Sequence, residues 1–184
     1  MAVILPKQIG TKEGELLFEK SEEVKKFQEG RDIVALLKKT LDYYGGVGLA
    51  APQVGIRKRV FIVDIKETER YREKYPQLEE IGFVAYINPV FLDLSEEKNK
   101  GMEGCLSVIY GSLFGAVERS NSLKIEYFDL QGRRYIDEIK NSFHARVVQH
   151  EFDHLEGMIF LQRMESKDFS TLLWDEEKDI RKQR

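Results

Sequence analysis

Two of the chain's three histidines stand four residues apart in one short stretch, QHEFDHLEG (149–157). No other stretch constrains the fold as much. Residues four apart share one face of a helix, about one turn from each other, so His150 and His154 can hold one metal ion between them. Glu151, about 100° around the helix from His150, can border such an ion without binding it and take a proton from water there. The same segment, read as a helix over 143–155, carries Val148, Phe152 and Leu155 on an apolar face, with Gly157 just past its end. An ordinary charged surface helix would spell similar letters, but it has no need of two histidines at ligand spacing.

A catalytic site of this kind requires a third protein ligand and an open position for water. The longer pattern H-E-x-x-H-x-x-G-x-x-H finds its glycine at Gly157, but Phe160 stands where its third histidine should be. His144, six residues before His150, lies about 120° off the required face and reads as a surface or packing histidine. A thermolysin-like site takes a glutamate further down the chain instead. Another candidate is Cys105, the single cysteine, which rules out an intrachain disulfide and whose sharper readings are a metal ligand or a nucleophile. A lone cysteine is most often a small buried hydrophobe. Here it sits in EGCLS (103–107) beside Gly104, which lets the backbone turn tightly. A thiolate with two imidazoles suits a borderline divalent metal and leaves one position open. The backbone N–H of Leu106 would then face the site as an oxyanion donor.

GVGLAAPQVG (46–55) matches a relaxed dinucleotide fingerprint at Gly46, Gly48 and Ala51. That fingerprint must follow a strand and open a helix. Here it follows a helix and meets Pro52 too soon, so the dinucleotide reading fails. Two readings stay open: a tight connection packed with small residues, or a flat backbone edge that an extended peptide can approach, with Gln53 bringing a second oxyanion donor.

Around these stretches, residues 31–44 place Ile33, Leu37, Leu41 and Tyr44 on one helical face, with Val34 beside them, and Gly45-Gly46 end the helix. RVFIVDI (59–65), GFVAYIN (82–88) and VFLDL (90–94) read as strands, the last two separated at Pro89. LKIEYFDL and RRYIDEI flank Gln131-Gly132 as a β-hairpin. The charged stretch at 66–81 reads as a solvated insert. The tail 166–184 reads as a final helix with Phe169, Leu172, Leu173 and Ile180 turned inward. Helices and short strands that do not alternate regularly indicate an α+β fold: small antiparallel or mixed β-sheets packed around a central metal-binding helix, with a C-terminal helix. With 184 residues, one domain over 1–184 is expected. The formal net charge of −3 gives no support for direct reading of nucleic acid. The apolar run at 2–5 is too short for a signal-peptide core or a membrane span, and no later stretch approaches spanning length. A cytoplasmic location without membrane association is therefore expected.

GVGLAAPQ, EGCLS and HEFDH, in that order and at these separations, resemble the three signature motifs of the peptide deformylases, over roughly residues 31–165. The resemblance implies a metal-dependent hydrolase that removes the N-terminal formyl group from formyl-methionine of newly synthesised polypeptides, releasing formate. By motif it implies Cys105, His150 and His154 as metal ligands and Glu151 as general base and then acid. Gln53 and the Leu106 N–H become the oxyanion hole. It implies one divalent ion per chain, ferrous iron in cells, with zinc, nickel or cobalt as substitutes in purified protein. It further suggests an Asp153–Arg119 pair, a peptide lying along Val47, Gly48 and Gly104, and a methionine side chain near Phe143 and Val147.

The chain departs from the family pattern in four places. The usual G-[DN]-P-x-L stretch near the N-terminus is not evident, the insert at 66–81 is long, and Val108-Ile109-Tyr110-Gly111 replaces the common Val-Pro-Gly. The segment running on to Val117-Glu118-Arg119 is about two residues longer than the common form. These changes leave the three motifs intact and bear on the pocket rim and substrate preference. The basic tip Arg181-Lys182-Gln183-Arg184 reads as a frayed terminus before it reads as a ribosome contact.

Overall fold

The computed structural model describes residues 3–66 and 81–182. The charged insert read at 66–81 falls almost wholly outside them. Along the described chain, α1 (Phe27–Tyr44) is followed by β1 (Gly48–Ala50), β2 (Val60–Ile65), β3 (Ile81–Leu94), β4 (Lys98–Gly104), β5 (Leu113–Ser120), β6 (Leu123–Phe128) and β7 (Arg134–Ile139). Then come α2 (Ser142–Leu155) and β8 (Leu173–Trp174). Five strands form one sheet in the order β1-β2-β3-β6-β7, and three form a second in the order β4-β5-β8. Every pairing between these strands is antiparallel. The α+β architecture is the one expected.

Strand β2, VFIVDI, is buried at all six positions. Its alternation explains why. Phe61, Val63 and Ile65 face one way, onto Ala145, Val147, Val148 and Leu155 of α2. Val60 and Ile62 face the other way, onto Ile33, Val34, Leu37 and Leu41 of α1. The larger sheet is thus covered on both faces at β2, which is why that strand is apolar at every position but Asp64. Helix α2 also packs against β5 of the smaller sheet, so it lies between the two sheets as the central element.

Helix α1 begins one turn earlier than the sequence suggested. Phe27 packs on Phe128 with ring centroids 5.6 Å apart, a tertiary contact invisible to periodicity. The two strands expected on either side of Pro89 are one strand, β3. The register shifts between Ile87 and Val90, and Asn88 there has φ 49°. Proline has no N–H to give, and a bulge asks none of it. The Asn88 side chain uses the kink to accept from Val24 N at 2.8 Å and donate to Val24 O at 2.9 Å. The hairpin at Gln131-Gly132 forms as read, with Asp129 accepting from the backbone N–H groups of Gln131 and Arg133 at 2.8 and 2.9 Å.

The expected C-terminal helix is corrected. Residues 166–182 form short 3-10 turns around β8, which pairs with the outer edge of β5. Leu173 and Trp174 give their backbone to that edge. The side chains of Asp175 and Asp179 accept from N–H groups two residues on, at 3.0 and 2.9 Å. Such local bonds compete with a helical ladder. Ile180 is buried as expected and Leu172 is half-buried, whereas Phe169 and Leu173 are about half exposed rather than inward-facing.

Candidate active site

Helix α2 starts where the Asn141 side chain accepts from Phe143 N and His144 N, at 3.1 and 3.0 Å. It ends before Gly157, whose φ of 74° suits glycine. Between these caps His150, Glu151 and His154 are all buried. Charge-bearing groups survive such burial only with partners or an ion.

One partner comes from the smaller sheet. Cys105 lies just past the end of β4, and its Sγ is 3.3 Å from His154 Nε2. Donor atoms of Cys105, His150 and His154 all lie within 4.8 Å of one another. Neighbouring ligands of one tetrahedral ion stand about 3.5 Å apart, so the three donors suit a shared divalent ion. His154 Nδ1 and Glu151 Oε2 are buried without a hydrogen-bond partner among the described residues. The orphaned Glu151 oxygen, together with the thiol and imidazole donors, fits a metal centre.

Glu103, two residues before Cys105, fixes the second histidine. Its Oε2 lies 2.9 Å from His150 Nδ1, which leaves Nε2 of that ring as the donor for an ion. The same carboxylate takes a two-pronged bond from Arg119, with Nε and Nη2 each at 3.0 Å, and another from Arg146 Nη1 at 2.9 Å. Burial pushes the Glu103 carboxyl up, but His150 and Arg119 outweigh it and hold it well below the usual carboxylate range. Burial lowers the proton affinity of His150, and Cys105 and Glu103 reverse this and raise it well above the usual value. A metal ion competes for that proton's place. His154 is held well below its usual value by burial and by the nearby His150 and Arg119, so it is a neutral donor.

Arg119 also donates to Asp153 Oδ2 at 2.6 Å, and Arg163 donates to both oxygens of that carboxylate at 2.7 and 3.1 Å. The expected Asp153–Arg119 pair is present, and it is buried. His144 is a packing histidine. Its Nε2 lies 3.2 Å from the Tyr86 hydroxyl, and burial lowers its pKa to about 4.

Glu151 faces β1. A Cβ placed on Gly48 would lie 2.6 Å from Glu151 Oε1, so glycine is required for that approach. Burial raises the Glu151 carboxyl to about 7, with the Glu103 charge adding to this and His150 opposing it. Gln53 follows β1 in a 3-10 turn that ends at Gly55. Its Oε1 accepts from Ala50 N at 2.9 Å, which turns Nε2 toward Cys105 Sγ at 3.4 Å and Ser107 Oγ at 3.3 Å. The amide N–H groups are thereby aimed at the sulfur of the donor set and at the hydroxyl beside it.

Gln53, Glu103, Cys105, Arg146, His150 and Glu151 border one cavity of about 520 Å³, and the fully buried His154 is not part of its wall. Val47, Gly48, Gly104, Phe143 and Val147, the residues suggested for peptide contact, line it, as do Gln53 and Leu106. Strands β1 and β4 are each the terminal strand of their sheet. Residues of both, Gly48 and Met102 to Gly104, reach the cavity. It thus lies where two strand edges meet. Glu103 and Arg146 escaped the sequence reading. Glu103 stands in the EGCLS stretch itself, but nothing local signals its partners at positions 119, 146 and 150.

A profile of the polypeptide deformylase family matches residues 6–170. The chain belongs to the peptide deformylase family. It is 42% identical over 138 residues to peptide deformylase 2 of Pseudomonas syringae pv. tomato, covering 75% of this chain and 72% of that protein. It is 37% identical over 150 residues to the peptide deformylase of Thermotoga maritima, covering 81% of each. Among solved structures, the Met-Ala-Ser-bound class I type b peptide deformylase of Acinetobacter baumannii superposes with a TM-score of 0.74 at 35% identity, covering 89% of this chain and 99% of that one. The protein is accordingly a metal-dependent enzyme that removes the N-formyl group from newly made polypeptides. Among the described residues no helix is long and apolar enough to cross a membrane.

Proposed function

We propose that Cys105, His150 and His154 hold one divalent ion, ferrous iron in the cell, and that Glu151 moves the protons of deformylation. The convergence of the three donors beside the partnerless buried Glu151 oxygen carries this reading. An ion held there supplies Lewis acidity, lowering the pKa of water and drawing electrons from a carbonyl. Glu151 accepts a proton from the water that attacks the formyl carbon. It then passes that proton to the departing amine nitrogen. The C–N bond breaks, and formate and a free N-terminus leave. The Gln53 side-chain N–H and the Leu106 backbone N–H meet the charge that builds on the formyl oxygen. Glu103 keeps the His150 ring in its ligating orientation.

The peptide runs between the edges of β1 and β4, along Val47, Gly48 and Gly104, in strand-like pairing. The methionine side chain enters beside Phe143 and Val147. The whole chain, residues 1–184, acts as one catalytic domain in the cytoplasm, on chains leaving the ribosome. Arg181 is engaged within the chain, over the Tyr110 ring at 4.0 Å, which favours a structural role for it over ribosome contact. Gln183 and Arg184 lie outside the described residues.

Metal analysis of purified variants tests the ligand assignment. Cys105→Ala and His150→Ala should each lose the ion, while Glu151→Ala keeps it. Full metal content in Cys105→Ala would remove the thiolate from the set.

A further inference from the structure

The stretch matched to the family ends at residue 170, yet the chain continues into the substrate cavity. Strand β8 pairs Leu173 with Phe114 and Trp174 with Leu113, and Asp175 N donates to Ser112 O at 2.8 Å. Beyond this the segment crosses the loop that replaces the common Val-Pro-Gly. A Cβ on Gly111 would lie 3.3 Å from Lys178 O and 3.7 Å from Ile180 Cγ2, and Arg181 covers Tyr110. The loop beneath is built for this contact. Ile109, Tyr110 and Gly111 all have positive φ, at 46°, 54° and 86°. Tyr110 N is held by Gln8 Oε1 at 2.7 Å, and Gln8 Nε2 also donates to Leu106 O at 2.8 Å.

Lys178 and the fully buried Ile180 therefore line the cavity beside Leu106, Gly111 and Phe114. Four charged residues line it among those described: Glu103, Arg146, Glu151 and Lys178. Glu103 and Arg146 bond to each other, and Glu151 sits at the donor set. Lys178, half-buried, is the fourth, and its backbone O lies 3.3 Å from a Cβ built on Gly111.

We propose that the segment from Leu173 to Arg181 is a wall of the substrate cavity lying beyond the stretch shared with the family, and that Lys178 there favours peptides with an acidic side chain at the second or third residue. The inference rests on the deformylase reading. An ammonium on a flexible four-carbon stem beside apolar wall gives an attraction of modest size, screened by salt.

The test compares kcat/KM on C-terminally amidated formyl-Met-Glu-Ser, formyl-Met-Ala-Glu, formyl-Met-Lys-Ser and formyl-Met-Ala-Lys for wild type, Lys178→Gln and Lys178→Glu. Wild type should favour a glutamate peptide over its lysine counterpart by roughly three- to tenfold at low salt. Lys178→Gln should abolish that ratio and Lys178→Glu should invert it, and added salt should shrink it in wild type. Melting temperatures of the variants, read alongside, show that they are folded. Equal rates on all four peptides, or a ratio that both substitutions leave untouched, would overturn the assignment of Lys178 alone. Hydrolysis of none of the four by metal-loaded wild type would overturn the deformylase reading with it.

Discussion

Glu103 Oε2 and His150 Nδ1 are 2.9 Å apart, and this contact ties a residue at the end of β4 to a histidine of the candidate metal site on α2. The carboxylate serves two ends. It fixes which ring nitrogen faces the donor set, and it neutralises Arg119 and Arg146, both buried. Glu103→Gln should therefore lower metal affinity about 10- to 100-fold. It should also lower stability, because two guanidinium groups lose their shared counter-charge. Competition titration with a chelator measures the first and urea unfolding the second. Wild-type affinity in a folded Glu103→Gln would mean that His150 is oriented by something else.

The approach of Glu151 to Gly48 yields a second expectation. Gly48→Ala puts a methyl 2.6 Å from Glu151 Oε1 and 2.9 Å from its Cγ. The carboxylate or the β1 edge must move, since overlap of that size cannot be absorbed. Deformylation should fall about 100-fold, the scale on which an ångström of misplacement acts, with the bound metal retained. An unchanged kcat in Gly48→Ala would show that Glu151 reaches its working position from elsewhere.

Most of the candidate site was legible because the spacing of its candidate ligands on α2 is local. The i, i+4 placement of His150 and His154 and the glycines around Gln53 and Cys105 are properties of short stretches, and helices and strands preserve them. The rest depends on pairings across the fold. Glu103 meets its partners 16, 43 and 47 residues away, and no short window contains that information. The tail shows the same limit from the other side. Phe169, Leu172, Leu173 and Ile180 suggest a helical face, but an open edge on β5 offered Leu173 and Trp174 a ladder. Similarly, Pro89 marks a break locally, and the sheet absorbs it as a bulge within β3.

His144 sets a pH dependence apart from the metal site. Burial lowers its pKa from 6.5 to about 4, with the Asp137 charge opposing. Between those values the unfolded chain binds the proton and the folded chain does not. Stability from neutral His144 is thus complete above pH 6.5 and is lost as the pH falls toward 4. The loss is at most about 3 kcal/mol. Urea unfolding at pH 7 and pH 5 should show a steeper decline for wild type than for His144→Gln. Parallel declines in the two proteins would contradict a depressed His144.

The most direct measurement of the central claim is formate release from formyl-Met-Ala-Ser by anaerobically purified, iron-loaded enzyme, beside Glu151→Ala at matched metal content. Proton transfer by a buried Glu151 that is not a ligand requires rapid release by the first and a loss of at least about 100-fold in the second. Comparable rates in the two proteins, or absence of the metal from well-folded Glu151→Ala, would contradict it.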